Sequence, residues 1–265
     1  SRQGVMLWDT ATGKELLTFK GHNVAPRLGI GGANDVAFSP DGKQVATTGN
    51  DGTVQLWNAD SGNVVFRWEE KVKAKRFGQS LAFSRDGKHL AVGFLQDIKL
   101  FNLLTRQPGC TIPHGVYGGG DRNLALSPDG TLLATISSIG PGFNPQSLAV
   151  VHLWDTANGK HLFDLRGHFT TVGGVSFSPD GERLASAGWD GTVKLWDIQT
   201  RQEVLTLRGP RGYAFGVAFS TDGGRLVSAH SLYNGPDVTG SGEIRIWDAR
   251  PLPPSPSSRG PQPQR

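Results

Sequence analysis

One turn, written five times, constrains this chain more than any other feature. It reads Phe38-Ser-Pro-Asp-Gly42, Phe83-Ser-Arg-Asp-Gly87, Leu126-Ser-Pro-Asp-Gly130, Phe177-Ser-Pro-Asp-Gly181 and Phe219-Ser-Thr-Asp-Gly223, in steps of 45, 43, 51 and 42 residues. Self-similarity at such a period marks a supersecondary unit stacked on copies of itself. A second mark keeps step with the first: Leu7-Trp8-Asp9, Leu56-Trp57-Asn58, Leu153-Trp154-Asp155, Leu195-Trp196-Asp197 and Ile246-Trp247-Asp248, with Leu100-Phe101-Asn102 as a degenerate copy.

Each unit reads as four short strands. Residues 173–178 alternate side chains, Pro179-Asp180-Gly181 turns, Arg183–Ala187 is a second strand, and Asp190-Gly191 turns again. Thr192–Trp196 alternates polar and apolar residues, Thr200-Arg201-Gln202 turns, and Glu203–Leu207 is a fourth strand. Asp-Gly between alternating runs is a strong hairpin signal, because glycine takes positive φ at little cost. No segment sustains helical periodicity. We call the strands a to d.

A repeat of about 40–45 residues, with Gly-His before it and Trp-Asp after it, resembles the WD40 family, and the likeness covers residues 1 to about 249. It implies an all-β β-propeller of four-stranded antiparallel blades. About six blades are represented, and the family's common count implies a seven-bladed ring. The chain opens with strands c and d (Val5–Trp8 and Glu15–Phe19), and the last unit has a, b and c. We therefore expect a C-terminal fragment of a longer protein, with residues 1–249 the propeller and 250–265 a disordered tail. That tail holds six prolines, which cannot donate ladder hydrogen bonds. The segments Trp8–Glu15 and Trp154–Lys160 look like those of bacterial WD40-repeat proteins, where such propellers often follow another domain, sometimes a kinase.

The family also carries a buried polar chain of His, Ser or Thr, Asp and Trp. Carried over, it falls on His22, Thr47, Asp51 and Trp57, and on His168, Ser186, Asp190 and Trp196. A buried carboxylate needs donors, and imidazole, hydroxyl and indole N–H supply them. The same residue types suggest a hydrolase triad, but a set that recurs is what a scaffold needs. The other units depart from the pattern. The third has Phe101 for Trp, the sixth has Gly209-Pro210 for Gly-His, and the fourth offers only His114, so these are expected to rely on apolar packing.

Loop lengths point to one face. From the strand-a Phe or Leu to the strand-c Trp or Phe the spacing is 19, 18, 28, 19 and 28 residues. With the a–b turns constant, the surplus falls in two b–c loops, 137–149 and 230–241. The d–a connections add Gly21–Ala33 and a basic run through Lys71, Lys73, Lys75 and Arg76. The b–c and d–a connections share a face, and loops on a rigid scaffold are where binding residues concentrate. The residues expected to meet a partner are Arg27, Lys73, Arg76, Phe143, Asn144, Arg211, Tyr213, Tyr233, Asn234 and Asp237, aromatic and Arg side chains being the usual anchors.

Other classes find less support. The glycine runs 29–32 and 118–120 are not followed by the helix that phosphate binding needs. The seven histidines are scattered, without metal-ligand pairing, so no metal or other cofactor is expected. Net charge is only +4, and nucleic acid is not an expected partner. No apolar run approaches the roughly 18–20 residues that cross a membrane. A lone Cys110 excludes an internal disulfide and fits a cytoplasmic location. We expect a non-catalytic scaffold that binds a protein or peptide. The alternatives are a sensor propeller of a larger chain and a quinoprotein-like enzyme. For the latter, Asp-x-x-Thr-Gly-Lys is similar to the quinoprotein repeat, but Leu16 and Leu162 stand close to where its Trp would fall.

Overall fold

The computed structural model describes residues 4–22, 32–69, 78–94, 97–113, 124–137, 150–210, 212–231 and 242–248. All its regular structure is β, in six antiparallel sheets that follow one another along the chain. The first pairs β1 (Val5–Trp8) with β2 (Glu15–Phe19). The second is β3 (Ala33–Phe38), β4 (Gln44–Gly49), β5 (Thr53–Asn58) and β6 (Val64–Glu69). The third is β7 (Gly78–Phe83), β8 (His89–Phe94), β9 (Asp97–Asn102) and β10 (Gln107–Pro113). The fourth is β11 (Leu124–Leu126), β12 (Leu132–Ser137), β13 (Val150–Asp155) and β14 (His161–Arg166). The fifth is β15 (Val172–Phe177), β16 (Arg183–Gly188), β17 (Thr192–Asp197) and β18 (Gln202–Arg208). The sixth has β19 (Ala214–Phe219), β20 (Arg225–Ser231) and β21 (Gly242–Asp248). Each sheet is an unbroken meander in sequence order, the form of a propeller blade.

The recurring turn explains why strands a and b form so regularly. In the second sheet the Ser39 hydroxyl donates to Asp41 Oδ1 at 2.6 Å and accepts from the Gln44 N–H at 2.9 Å. Asp41 Oδ1 also takes the Lys43 N–H at 3.0 Å, and Gly42 sits at φ +71°. Ser84, Ser127, Ser178 and Ser220 repeat the arrangement with Asp86, Asp129, Asp180 and Asp222. The Ser hydroxyl and the Asp carboxylate of each turn thus find partners within a few residues. Below the Trp of strand c, the Asp or Asn that follows caps the c–d turn. Asp9 Oδ1 accepts the Thr12 N–H at 2.7 Å, and Asp197 Oδ1 the Thr200 N–H at 2.7 Å.

The strands a lie side by side in chain order, β3, β7, β11, β15 and β19. Their a–b turns surround a cavity of 570 Å³, lined among others by Pro40, Arg85, Pro128, Pro179 and Thr221. Arg85 Nη2 reaches across it to the Thr221 carbonyl at 3.0 Å. In the second and fifth sheets strands b and c are buried almost throughout and strands d are largely exposed, whereas β21, strand c of the sixth, alternates between exposed and half-buried. The apolar core lies between sheets. Val151, Leu153 and Leu165 of the fourth meet Val175, Phe177 and Leu184 of the fifth. Ala46 and Leu56 of the second meet Leu81, Leu90 and Phe101 of the third. Burying one such Leu or Phe contributes about 1.5–3 kcal/mol. This inter-sheet packing fixes the position of every turn and so positions the site.

Candidate functional site

The two polar chains carried over from the family lie at the b–c end of their sheets. His168 Nδ1 is 2.9 Å from Asp190 Oδ2, its Nε2 is 2.8 Å from Ser186 Oγ, and Trp196 Nε1 donates to the same hydroxyl at 2.8 Å. Thr192 adds its hydroxyl and its N–H to Asp190 Oδ1, at 2.5 and 2.9 Å. In the second sheet His22 is 3.0 Å from Asp51 and 2.7 Å from Thr47 Oγ1, to which Trp57 Nε1 donates at 2.8 Å. Burial pushes the Asp190 carboxyl up. The hydrogen bonds from His168 and Thr192 and the His168 charge outweigh it and hold the pKa at about 2.

Imidazole between carboxylate and hydroxyl is also the layout of a hydrolytic triad. Here Ser186 is 0% and His168 1% exposed, and the Ser186 hydroxyl already serves Trp196. No substrate carbonyl reaches it in this conformation.

The sixth sheet corrects the expectation that it rests on apolar packing. Trp247 Nε1 donates to Ser228 Oγ at 2.8 Å, and His230 Nε2 lies 2.8 Å from the same oxygen. The imidazole comes from strand b, where the fifth sheet has Gly188. The fourth sheet keeps the indole bond, Trp154 Nε1 to Thr135 Oγ1 at 2.9 Å. His114 lies outside the described residues. In the third, Phe101 packs edge-on against Trp68 and Phe66 at 5.3 and 6.2 Å between ring centres.

These buried chains pin the face where binding residues were expected. Of those residues, Arg27, Lys73, Arg76, Phe143, Asn144, Arg211, Tyr233, Asn234 and Asp237 lie outside the described residues. Tyr213 is described, and it has company. Its ring is 5.4 Å from that of Trp189 and 6.1 Å from that of Phe215, and Trp189 is 5.7 Å from Phe215. All three are 40–44% exposed, and Phe169, on the same face, is 62% exposed. Trp189 stands in the b–c turn of the fifth sheet, held by its N–H on the Thr171 carbonyl at 2.8 Å. Tyr213 precedes β19, and its carbonyl takes the Ser231 N–H at 2.9 Å. Trp189, Phe215 and Phe169 escaped the sequence reading. The available signal was an aromatic residue inside a tight Gly-x-Asp-Gly turn, where no core can receive it.

The comparisons bear on the whole arrangement. The family model described as "WD domain, G-beta repeat" matches residues 13–58 and 159–197, each a strand d followed by strands a to c, and these spans hold the two complete polar chains just described. The chain carries repeats of the WD40 family. Among WD40 relatives, Periodic tryptophan protein 2 homolog of Dictyostelium discoideum is 27% identical over 192 residues, 72% of this chain and 19% of that protein. Apoptotic protease-activating factor 1 of Homo sapiens is 30% identical over 179 residues, covering 59% and 13%. WD repeat-containing protein SL1-17 of Schistosoma mansoni is 30% identical over 188 residues, covering 71% and 55%. The chain spans less than two thirds of the length of each of these WD40 proteins.

The seven histidines, which read as scattered, are not all so in space. Strand pairing brings His152 and His161 onto Asp164 at 2.7 and 2.8 Å. They stand nine and twelve residues along the chain from His152 to its partners, a spacing set by the c–d hairpin that no short metal motif captures.

Proposed function

We propose that this chain is a non-catalytic platform that grips a peptide segment of a partner protein on the face carrying its b–c and d–a connections. WD40-repeat proteins in general bind other proteins, and the names of relatives such as an apoptotic protease-activating factor and a U3 small nucleolar RNA-associated protein fit that reading. The observation that carries it is the exposed cluster of Trp189, Tyr213 and Phe215. Large aromatic rings left in water cost free energy that a partner recovers by covering them. Rigid rings with few torsions lose little entropy on binding, which is why aromatic residues anchor interfaces. The turns beneath them are held by backbone hydrogen bonds and by the buried His168 chain, so the surface is pre-organised.

The test is affinity capture from lysate with the wild-type chain and with a Trp189→Ser, Tyr213→Ser, Phe215→Ser variant of unchanged circular dichroism. A partner held by the first and lost by the second supports the reading. A partner held equally by both moves the interface off this face, and absence of any partner argues against a scaffold.

A further inference from the structure

The same three register positions recur beside the strand-c Trp in four sheets. Between strands c and d a bulge falls just before that Trp, at Leu7/Trp8, Leu56/Trp57, Leu153/Trp154 and Leu195/Trp196. Strict alternation would turn residue 162 toward the face shared by 152 and 164. The bulge brings 161 there instead, opposite Trp154. In the fifth sheet these positions hold Lys194, Glu203 and Thr206, joined as an ion pair at 2.8 Å and a hydrogen bond at 2.9 Å. In the first they hold Met6, Glu15 and Thr18, with Thr18 bonded to Glu15. In the fourth they hold His152, His161 and Asp164.

We propose that His152, His161 and Asp164 bind a divalent transition-metal ion of the zinc class on the rim of the fourth sheet. One ligand atom from each lies within 4.8 Å of the others. His152 Nδ1 and His161 Nε2 both meet Asp164 Oδ1, at 2.7 and 2.8 Å. An ion on that shared side takes a lone pair from each nitrogen, and each ring then carries its proton on its other nitrogen. Metal–nitrogen and metal–oxygen distances of about 2.0–2.2 Å call only for small ring rotations. Two imidazoles and one carboxylate suit Zn²⁺, Ni²⁺ or Cu²⁺, and not Ca²⁺ or Mg²⁺, which prefer all-oxygen sets. Arg166 Nη2 grips Asp164 Oδ2 at 2.5 Å, which orients the carboxylate and leaves Oδ1 for the ion. The side chains of His152 and Asp164 are 23% and 20% exposed and that of His161 42%, so an ion enters from solvent and keeps at least one position for water. His161 also stands edge-on to Trp154, with ring centres 5.0 Å apart, which gives a built-in reporter.

The experiment titrates the metal-stripped chain with Zn²⁺ by calorimetry, and with Cu²⁺ by tryptophan fluorescence. One ion per chain is expected, with quenching that Zn²⁺ reverses by competition and that Trp154→Phe removes. The triple variant His152→Lys, His161→Glu, Asp164→Thr installs the residues that the fifth sheet carries at these positions, and it is expected to lose the site while keeping the fold. His161→Gln, a change of one half-exposed side chain, is expected to weaken binding at least about tenfold. The proposal is overturned if the wild type shows no site tighter than millimolar, or if either variant binds Zn²⁺ as the wild type does.

Discussion

His230 Nε2 lies 2.8 Å from the hydroxyl of Ser228, two residues away on the same strand, and fills the room left by Gly209. In the fifth sheet the exchange runs the other way: His168 follows Gly167 in the d–a connection, and Gly188 on strand b makes room for it. A Cβ on Gly188 would stand 2.3 Å from His168 Nδ1, and one on Gly209 would stand 2.2 Å from His230 Cε1. The same volume receives an imidazole from opposite sides, and each time glycine faces it.

Gly209→Ala is therefore expected to destabilise the sixth sheet by about 1–3 kcal/mol, the range for overpacking a filled site. The double change Gly209→Ala, His230→Ala should cost less than the sum of the single changes, because the clash goes with the imidazole. Urea denaturation of the four proteins reads the coupling; strict additivity would mean that the two residues do not compete for space.

Ser186 is the hinge of its polar chain, accepting from Trp196 and bonding His168. Ser186→Ala leaves two buried groups without a partner and is expected to cost about 2 kcal/mol or more. Ser186→Thr should cost under about 1 kcal/mol, since Thr47 holds the same two partners in the second sheet. Equal losses for the two would show that volume, not the hydroxyl, matters.

Two groups give acid sensitivity in separate windows. The pKa of His230 is lowered, first by burial and then by the Arg245 charge, with Glu243 opposing. The unfolded chain then binds the proton more readily, so stability is complete above about pH 6.5 and falls as pH drops toward the lowered value. Asp190, held at about 2, contributes stability above its unfolded value near 4 that is lost as pH falls toward 2. Melting temperature followed from pH 8 to 2 should show both steps. His230→Gln should remove only the upper one, and its persistence would assign that step to another group.

Trp189→Ser is expected to leave unfolding free energy within about 0.5 kcal/mol of wild type, as for an exposed residue, while removing partner capture. Chemical denaturation and capture read the two effects separately. A large stability loss would make the aromatic cluster structural.

The sheets were legible because each is announced by its own turn. Ser39, Asp41 and Gly42 act within one short segment, so their pattern is local and appears as letters in sequence. The Trp57 and Trp196 chains were legible through a family resemblance, since their members stand up to 35 residues apart. What escaped depends on register or on neighbouring sheets. His152 and Asp164 face each other only once the c–d pairing is known. Trp189 meets Phe215 across two sheets, and nothing local joins a b–c turn to the next strand a. His230 was hidden because its role passed to a different strand, which a position-by-position transfer of the motif does not follow.

The Ser-x-Asp-Gly turn is closed chiefly by its own residues, from the hydroxyl of Ser39 to the N–H of Gln44. A gene encoding such a unit can be copied, lost or shuffled, and each copy brings its own a–b turn with it. What duplication must then relearn is only the contact between neighbours, which leaves rims and outward rings, such as those near Trp154 and Trp189, open to diverge at different rates.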